Sequence, residues 1–115
     1  MIEALIKKRD GKIVGYTISG HANYAEYNSD IVCSAVSILT YNNIDTFTDI
    51  LRLREKINFR IDEKKRGFIS LDLSLEDLSQ REVEDTQLIL NSFELGLKSL
   101  SIHYSAYILL DYREV

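Results

Sequence analysis

An α+β fold of ββαββαβ order, with two helices packed on a largely antiparallel sheet, is predicted by three features of this chain. Two short strand-like runs flank Asp10-Gly11 and two more flank Arg66-Gly67. Two longer segments repeat apolar residues at helical spacing. The 115 residues suffice for one domain with one core and are too few for two. Hydrophobic residues make up 45% and charged residues 28%, a globular balance and not a disordered one.

Taken in order, residues 2–8 and 12–19 read as strands joined at Asp10-Gly11, a dipeptide suited to a tight hairpin. Gly20 ends the second strand, and residues 22–29 read as a polar loop with interspersed aromatic and small residues. Ser29-Asp30 offers a helix N-cap, and the helix is expected to run to about Arg54. Val32, Val36, Leu39, Phe47 and Ile50 approximate one face of it, and Ile31, Ala35 and Ile38 lie on a neighbouring face. An apolar surface that wide predicts cover on two sides, by the sheet and by a partner subunit.

Residues 57–62 and 68–73 form the second alternating pair. From residue 79 to about 101 a second helix is expected, with Val83, Leu90, Phe93, Leu97 and Leu100 along its apolar side. Gly96 within it costs about 1 kcal/mol relative to alanine and so marks close packing. Residues 107–112 make a last strand. Nothing in this pattern encodes the order of strands across the sheet.

Composition narrows the function classes. The net charge of −4 gives no general attraction to nucleic acid, and direct nucleic-acid binding is not expected. The basic runs Lys7-Lys8-Arg9 and Lys64-Lys65-Arg66 fall where turns are expected and read as solvated turns. No apolar run approaches the roughly 20 residues that span a bilayer, and the first residues do not read as a signal peptide. A single cysteine excludes an internal disulfide, and a cytoplasmic protein is the simplest expectation.

The same cysteine carries the chemistry. Residues 20–37, GHANYAEYNSDIVCSAVS, hold Cys33 and one of two histidines, His21. With Asp30 as cap, Cys33 falls at the third helical position, where unpaired N–H groups and the helix dipole favour an anion. A free thiol ionises near pH 8.5, so an adjacent base and a helix terminus make one far more effective as a nucleophile. His21 can then accept the thiol proton and return it to a leaving amine. On spacing alone a second reading stands beside this one: a small core cysteine and a surface histidine, the commoner fate of such residues. Asp30 reads as cap more readily than as catalytic carboxylate. Ser37, one turn after Cys33, can hydrogen-bond near the site or to its own helix.

His103, 70 residues from Cys33, lies before the last strand and reads as structural or exposed. One cysteine and two histidines at these spacings form no metal site, and no phosphate-loop, dinucleotide or serine-triad motif is present. Neither metal nor cofactor is expected.

The segment resembles the signature of the bacterial ribosomal-processing cysteine protease family, the Prp proteins. The matching residues are Gly20-His21-Ala22, Tyr24-Ala25-Glu26-Tyr27, Asp30-Ile31-Val32-Cys33 and Ala35-Val36-Ser37. The resemblance implies that residues 1–115 form one cysteine-protease-like domain, that His21 and Cys33 are a catalytic dyad, and that the subunit is a homodimer. It further implies a substrate: the N-terminal extension of the large-subunit ribosomal protein numbered twenty-seven, cut after an apolar, aromatic-rich segment. Gly20, Tyr24, Tyr27 and Asn28 then belong to a substrate-binding loop. Asn28 stands where the family usually has glycine, and asparagine tolerates a left-handed turn better than most residues. Two other readings remain: a non-enzymatic, ribosome-associated domain that binds a peptide or protein, and a thiol acyl hydrolase with a closed small-molecule pocket.

Overall fold

In a computed structural model, which describes residues 1–20, 27–62 and 67–115, the chain forms one five-stranded sheet and two long helices. The elements are β1 (Ile2–Arg9), β2 (Lys12–Ser19), α1 (Tyr27–Asp45), β3 (Ile57–Asp62), β4 (Phe68–Leu73), α2 (Gln80–His103) and β5 (Ile108–Glu114). The strand order is β3-β4-β2-β1-β5. Three pairings are antiparallel, and β5 joins β1 in parallel. The predicted fold class and element order hold.

The first hairpin forms where the turn chemistry placed it, and β3 and β4 pair antiparallel as expected, with Arg66 of their connection outside the described residues. Asp10 and Gly11 both take positive φ, 52° and 80°, the conformation that lets a two-residue loop follow the twist of its strands. A bulge between Lys7 and Lys8 of β1 breaks the register opposite Ile13 and Gly15, and consecutive Ile13 and Val14 are both buried. The amide of Gln87 on α2 meets this irregularity. It accepts from Ile13 N–H and donates to Ile13 C=O, each at 2.8 Å, as a strand neighbour does.

Both helices cover one face of the sheet. Ile2, Ala4 and Ile6 of β1, Tyr16 and Ile18 of β2, and Ile69 and Leu71 of β4 meet Val32, Val36 and Phe47 from α1 and Leu90, Phe93 and Leu97 from α2. Tyr16 is fully buried. Its ring lies 4.5 Å from that of Phe93, and its hydroxyl donates to Asn43 Oδ1 at 2.8 Å. Burial pushes the Tyr16 phenol far above its ordinary range, so it stays a neutral donor. The expected close packing at Gly96 is present: a Cβ there would meet Leu39 Cδ2 at 2.8 Å.

Several boundaries differ from expectation. α1 starts at Tyr27, not after Asp30, so Tyr27, Asn28 and Ser29 belong to a helix and not to a loop. Asn28 has helical backbone and fills no left-handed turn. The far end of α1 also differs. After Asp45 the helix widens over Thr46–Ile50, where Leu51 N–H bonds Thr46 C=O five residues back at 3.0 Å. The Thr46 hydroxyl bonds Asn42 C=O at 2.7 Å, a side-chain contact that bends helices. Arg52, at φ 58°, then stops helical geometry short of Arg54. The widened turn shifts the phase: Phe47 stays buried, and Ile50 swings out to 74% exposure.

α2 begins with a complete capping box, Ser79 accepting from Glu82 N–H and Glu82 accepting from Ser79 N–H. It runs to His103, two residues beyond expectation, so His103 is helical and not in a turn. It is exposed, with Nδ1 2.8 Å from Ser99 O in the last turn.

Candidate active site

Cys33 is the seventh residue of α1, half-buried, and faces a cavity of about 80 Å³ at one end of the sheet. Three elements build it. Helical spacing brings Val36, Ser37 and Tyr41 onto the same side of α1 as Cys33. The start of β1 and end of β2 supply Ile2, Ile18 and Gly20. The third wall is the β3–β4 hairpin, with Ile61, Asp62, Gly67, Phe68 and Ile69. The sheet order explains this meeting, because β4 pairs with β2 so that Ile18 stands opposite Ile69.

Gly20 is required by geometry. Its φ is 89°, and a Cβ there would lie 2.5 Å from Met1 O. A side chain at this position would strain the backbone and collide with the first residue of the chain.

The lining is mainly aliphatic and aromatic. The Ser37 hydroxyl is exposed and makes no hydrogen bond among the described residues, so it neither returns to its own helix nor holds a described partner. Asp62 pairs with Arg60 at 3.1 Å. Among the described residues no group of three or more histidine, cysteine or acidic side chains is placed to hold a metal. No described helix is long and apolar enough to cross a membrane.

The structure therefore brings Cys33, Ser37 and Gly20 to one cavity. His21 and Tyr24 lie outside the described residues. Tyr27, Asn28 and Asp30 are described as helical backbone only. Asp30 is the fourth residue of α1, so it does not precede the helix as its cap, and Cys33 is not at the third helical position. The N–H groups that a helix leaves without an intrahelical acceptor belong to its first turn, which in α1 lies ahead of Cys33. Cβ atoms on a helix tilt toward its N-terminus, so the Cys33 side chain leaves α1 on the side of this turn.

Sequence reasoning missed Tyr41 and the hairpin wall. Tyr41 was findable as the residue eight after Cys33 on one helix face. Ile61, Asp62, Gly67 and Phe68 left no local signal, because their approach depends on which strand neighbours β2.

A half-buried thiol lining an apolar cavity, on a helix over a mostly antiparallel sheet, is the site that this α+β fold builds. Residues 1–109 match the family described as cysteine protease Prp, and the chain belongs to that family. It is 25% identical over 104 residues to the ribosomal processing cysteine protease Prp of Staphylococcus aureus, covering 90% of this chain and 91% of that one. Among solved structures it is similar to SMU.848 from Streptococcus mutans, with TM-score 0.81, 28% identity, and 100% and 96% of the two chains covered. It also shares the fold of the essential Staphylococcus aureus protease Prp solved with a substrate peptide, with TM-score 0.78, 24% identity, and 98% and 100% covered. Family membership decides for the peptidase over the non-enzymatic binding domain.

Proposed function

We propose that this chain is a cytoplasmic endopeptidase that removes the N-terminal extension of the large-subunit ribosomal protein numbered twenty-seven, using Cys33 and His21 as a dyad. One observation carries the reading: in a chain of the Prp family, the only cysteine lines an apolar cavity together with Gly20, the residue immediately before His21 in sequence. The relative of Staphylococcus aureus is a ribosomal processing protease, and the extension sought is apolar and aromatic-rich, in keeping with this cavity.

The chemistry runs in two steps. His21 takes the Cys33 proton as sulfur attacks the scissile carbonyl carbon, and the carbonyl oxygen becomes an oxyanion. N–H groups of residues 27–30, at the start of α1, are the donors suited to hold it. The oxyanion collapses, the C–N bond breaks, and His21 gives its proton to the departing amine, leaving a thioester. Water, deprotonated by His21, then attacks the thioester and releases the carboxylate and the thiol. Asp30 and Ser37 support the site from the turns on either side of Cys33, and Tyr24, Tyr27 and Asn28 belong to the substrate-contacting segment.

The subunit is a homodimer in this reading. Leu88, Leu95 and Ile102, seven residues apart on α2, are 66–75% exposed, and Ile31 and Ile38 of α1 are exposed at the same interval. Such stripes are the second apolar side that one sheet cannot cover.

The test is incubation of the purified chain with the extended ribosomal protein. Cleavage at a single bond is expected. Cys33→Ala and His21→Ala should each lower the rate at least about a thousandfold. Undiminished cleavage by Cys33→Ala overturns the mechanism.

A further inference from the structure

Of the apolar residues around the Cys33 cavity, Tyr41 and Phe68 are half-buried, and the aliphatic ones divide into two sets. Ile2, Ile18, Val36 and Ile69 are 3–6% exposed and belong to the main hydrophobic core. They form a floor that folding itself requires. Ile61 is different. It lines the same cavity, is 39% exposed, and is not packed into that core.

Its position explains the exposure. β3 is an outer strand, paired only with β4, and Ile57, Phe59 and Ile61 share the helix-side face because they stand opposite buried Leu73, Leu71 and Ile69. Cover thins along that row toward the cavity. Ile57 is 7% exposed, Phe59 is half-buried beneath the Arg54 guanidinium, and Ile61 is open. An exposed isoleucine on an outer strand invites edge-to-edge association, and a lone exposed apolar residue elsewhere would need no explanation. Beside a nucleophile, at the rim of a cavity that the core has already lined with aliphatic carbon, it meets the ligand.

We propose that Ile61 is the specificity-determining wall of this site, setting the size of the apolar substrate side chain that sits beside Cys33. The assignment rests on Cys33 being the attacking group. The floor cannot adjust, because each of its side chains also holds the sheet to α1. The rim can. Removing Ile61 carbons enlarges the cavity toward solvent and leaves the core intact, whereas a larger side chain closes it. One methylene in an apolar pocket shifts selection by about tenfold or more, so three carbons are ample for a clear change.

Two measurements test this. In the first, Cys33, the only thiol, is alkylated by iodoacetamide and by N-benzyl iodoacetamide. In each case the sulfur–carbon bond forms as iodide leaves. Ile61→Ala should raise the benzyl-to-unsubstituted rate ratio about tenfold, and Ile61→Trp should lower it about as much. In the second, peptides differing only in one apolar residue beside the scissile bond (alanine, leucine, phenylalanine) are cleaved by the same variants. Their kcat/KM order should move the same way. Ratios unchanged within twofold in both variants overturn the assignment. A shifted alkylation ratio with no peptide cleavage by the parent supports the wall and sinks the peptidase reading, which separates the two. A lowered unfolding midpoint with unchanged ratios makes Ile61 merely structural and also overturns it.

Discussion

The two ends of β2 are finished in opposite ways. At its start, Ile13 sits in a bulge where the amide of Gln87 takes up both its backbone N–H and its C=O, and buried side chains follow on each side. At its finish, some 15–20 Å along the strand, Ile18 and Gly20 open onto the Cys33 cavity. There Ser37 has no hydrogen bond among the described residues and Ile61 stands partly in solvent. One end closes the fold; the other leaves side chains available for a substrate. The lesson is a division of labour along one strand: the Gln87 bridge that secures the sheet stands far from Ser37 and Ile61 at the cavity rim, so the bridge and the rim can each change with little effect on the other.

The sharpest way to break this comparison is to open the closed end. Gln87→Ala leaves the Ile13 N–H and C=O without side-chain partners. Part-buried groups stranded in this way cost about 2 kcal/mol or more together. Urea unfolding should show that loss while kcat/KM on the peptide substrate of the folded enzyme holds within about threefold. Gln87→Glu keeps the acceptor for Ile13 N–H and loses the donor to Ile13 C=O, and should cost about half as much. A large fall in kcat/KM with unchanged stability would show that the two ends are coupled.

A smaller effect is expected where the helices meet. Gly96→Ala gains up to about 1 kcal/mol of helix propensity, but its methyl would press on the Leu39 side chain at 2.8 Å. Leu39 is a flexible terminus and can yield, at a cost of about 1–3 kcal/mol for overpacking. The net should be a destabilisation of about 1 kcal/mol in the single variant. In a Leu39→Ala background the same change should become stabilising, and this reversal of sign in a double-mutant cycle is the measurement. Additive effects would mean that Gly96 is not there for close packing.

What was legible in the sequence follows from the range of the forces involved. Asp10-Gly11 marked the first hairpin because turn conformation is decided by two residues, and β3 and β4 pair on either side of Arg66-Gly67. The limits of β2, β3 and β4 were read to the residue. The start of α1 was misread because Ser29-Asp30 carries a cap signal, yet Tyr27 and Asn28 differ from it in helix propensity by only a few tenths of a kcal/mol. A tertiary preference that small is invisible locally. Thr46 gave its helix-bending hydroxyl openly in sequence, but the phase shift that exposes Ile50 follows only from the i→i+5 bond. At the site, Cys33 and Ser37 were legible from spacing. Ile61 and Phe68 were not, because their place beside Ile18 is set by the β4–β2 pairing, a contact about 50 residues long in sequence with no local cause.

The smallest predicted effect tests how independent the closed end is of solution conditions. The Glu82 carboxyl is held below its ordinary value near 4.5, chiefly because it accepts the Ser79 N–H and next because Lys56 donates to it at 3.0 Å. A carboxyl whose folded value is depressed contributes stability above its unfolded value, and loses it as pH falls through the folded one. The contribution is therefore intact at pH 7, begins to fade below about pH 4.5, and is gone once Glu82 is protonated in both states. Glu82→Gln keeps an acceptor for the capping box and removes the charge. Its urea midpoint should fall less between pH 7 and pH 3 than that of the parent. Added salt should shrink the difference, since Lys56–Glu82 is a partly exposed pair screened over about 10 Å at 0.1 M. Equal pH slopes in the two proteins would mean that the cap acts through geometry alone, and that the charge of Glu82 adds nothing to the closed end.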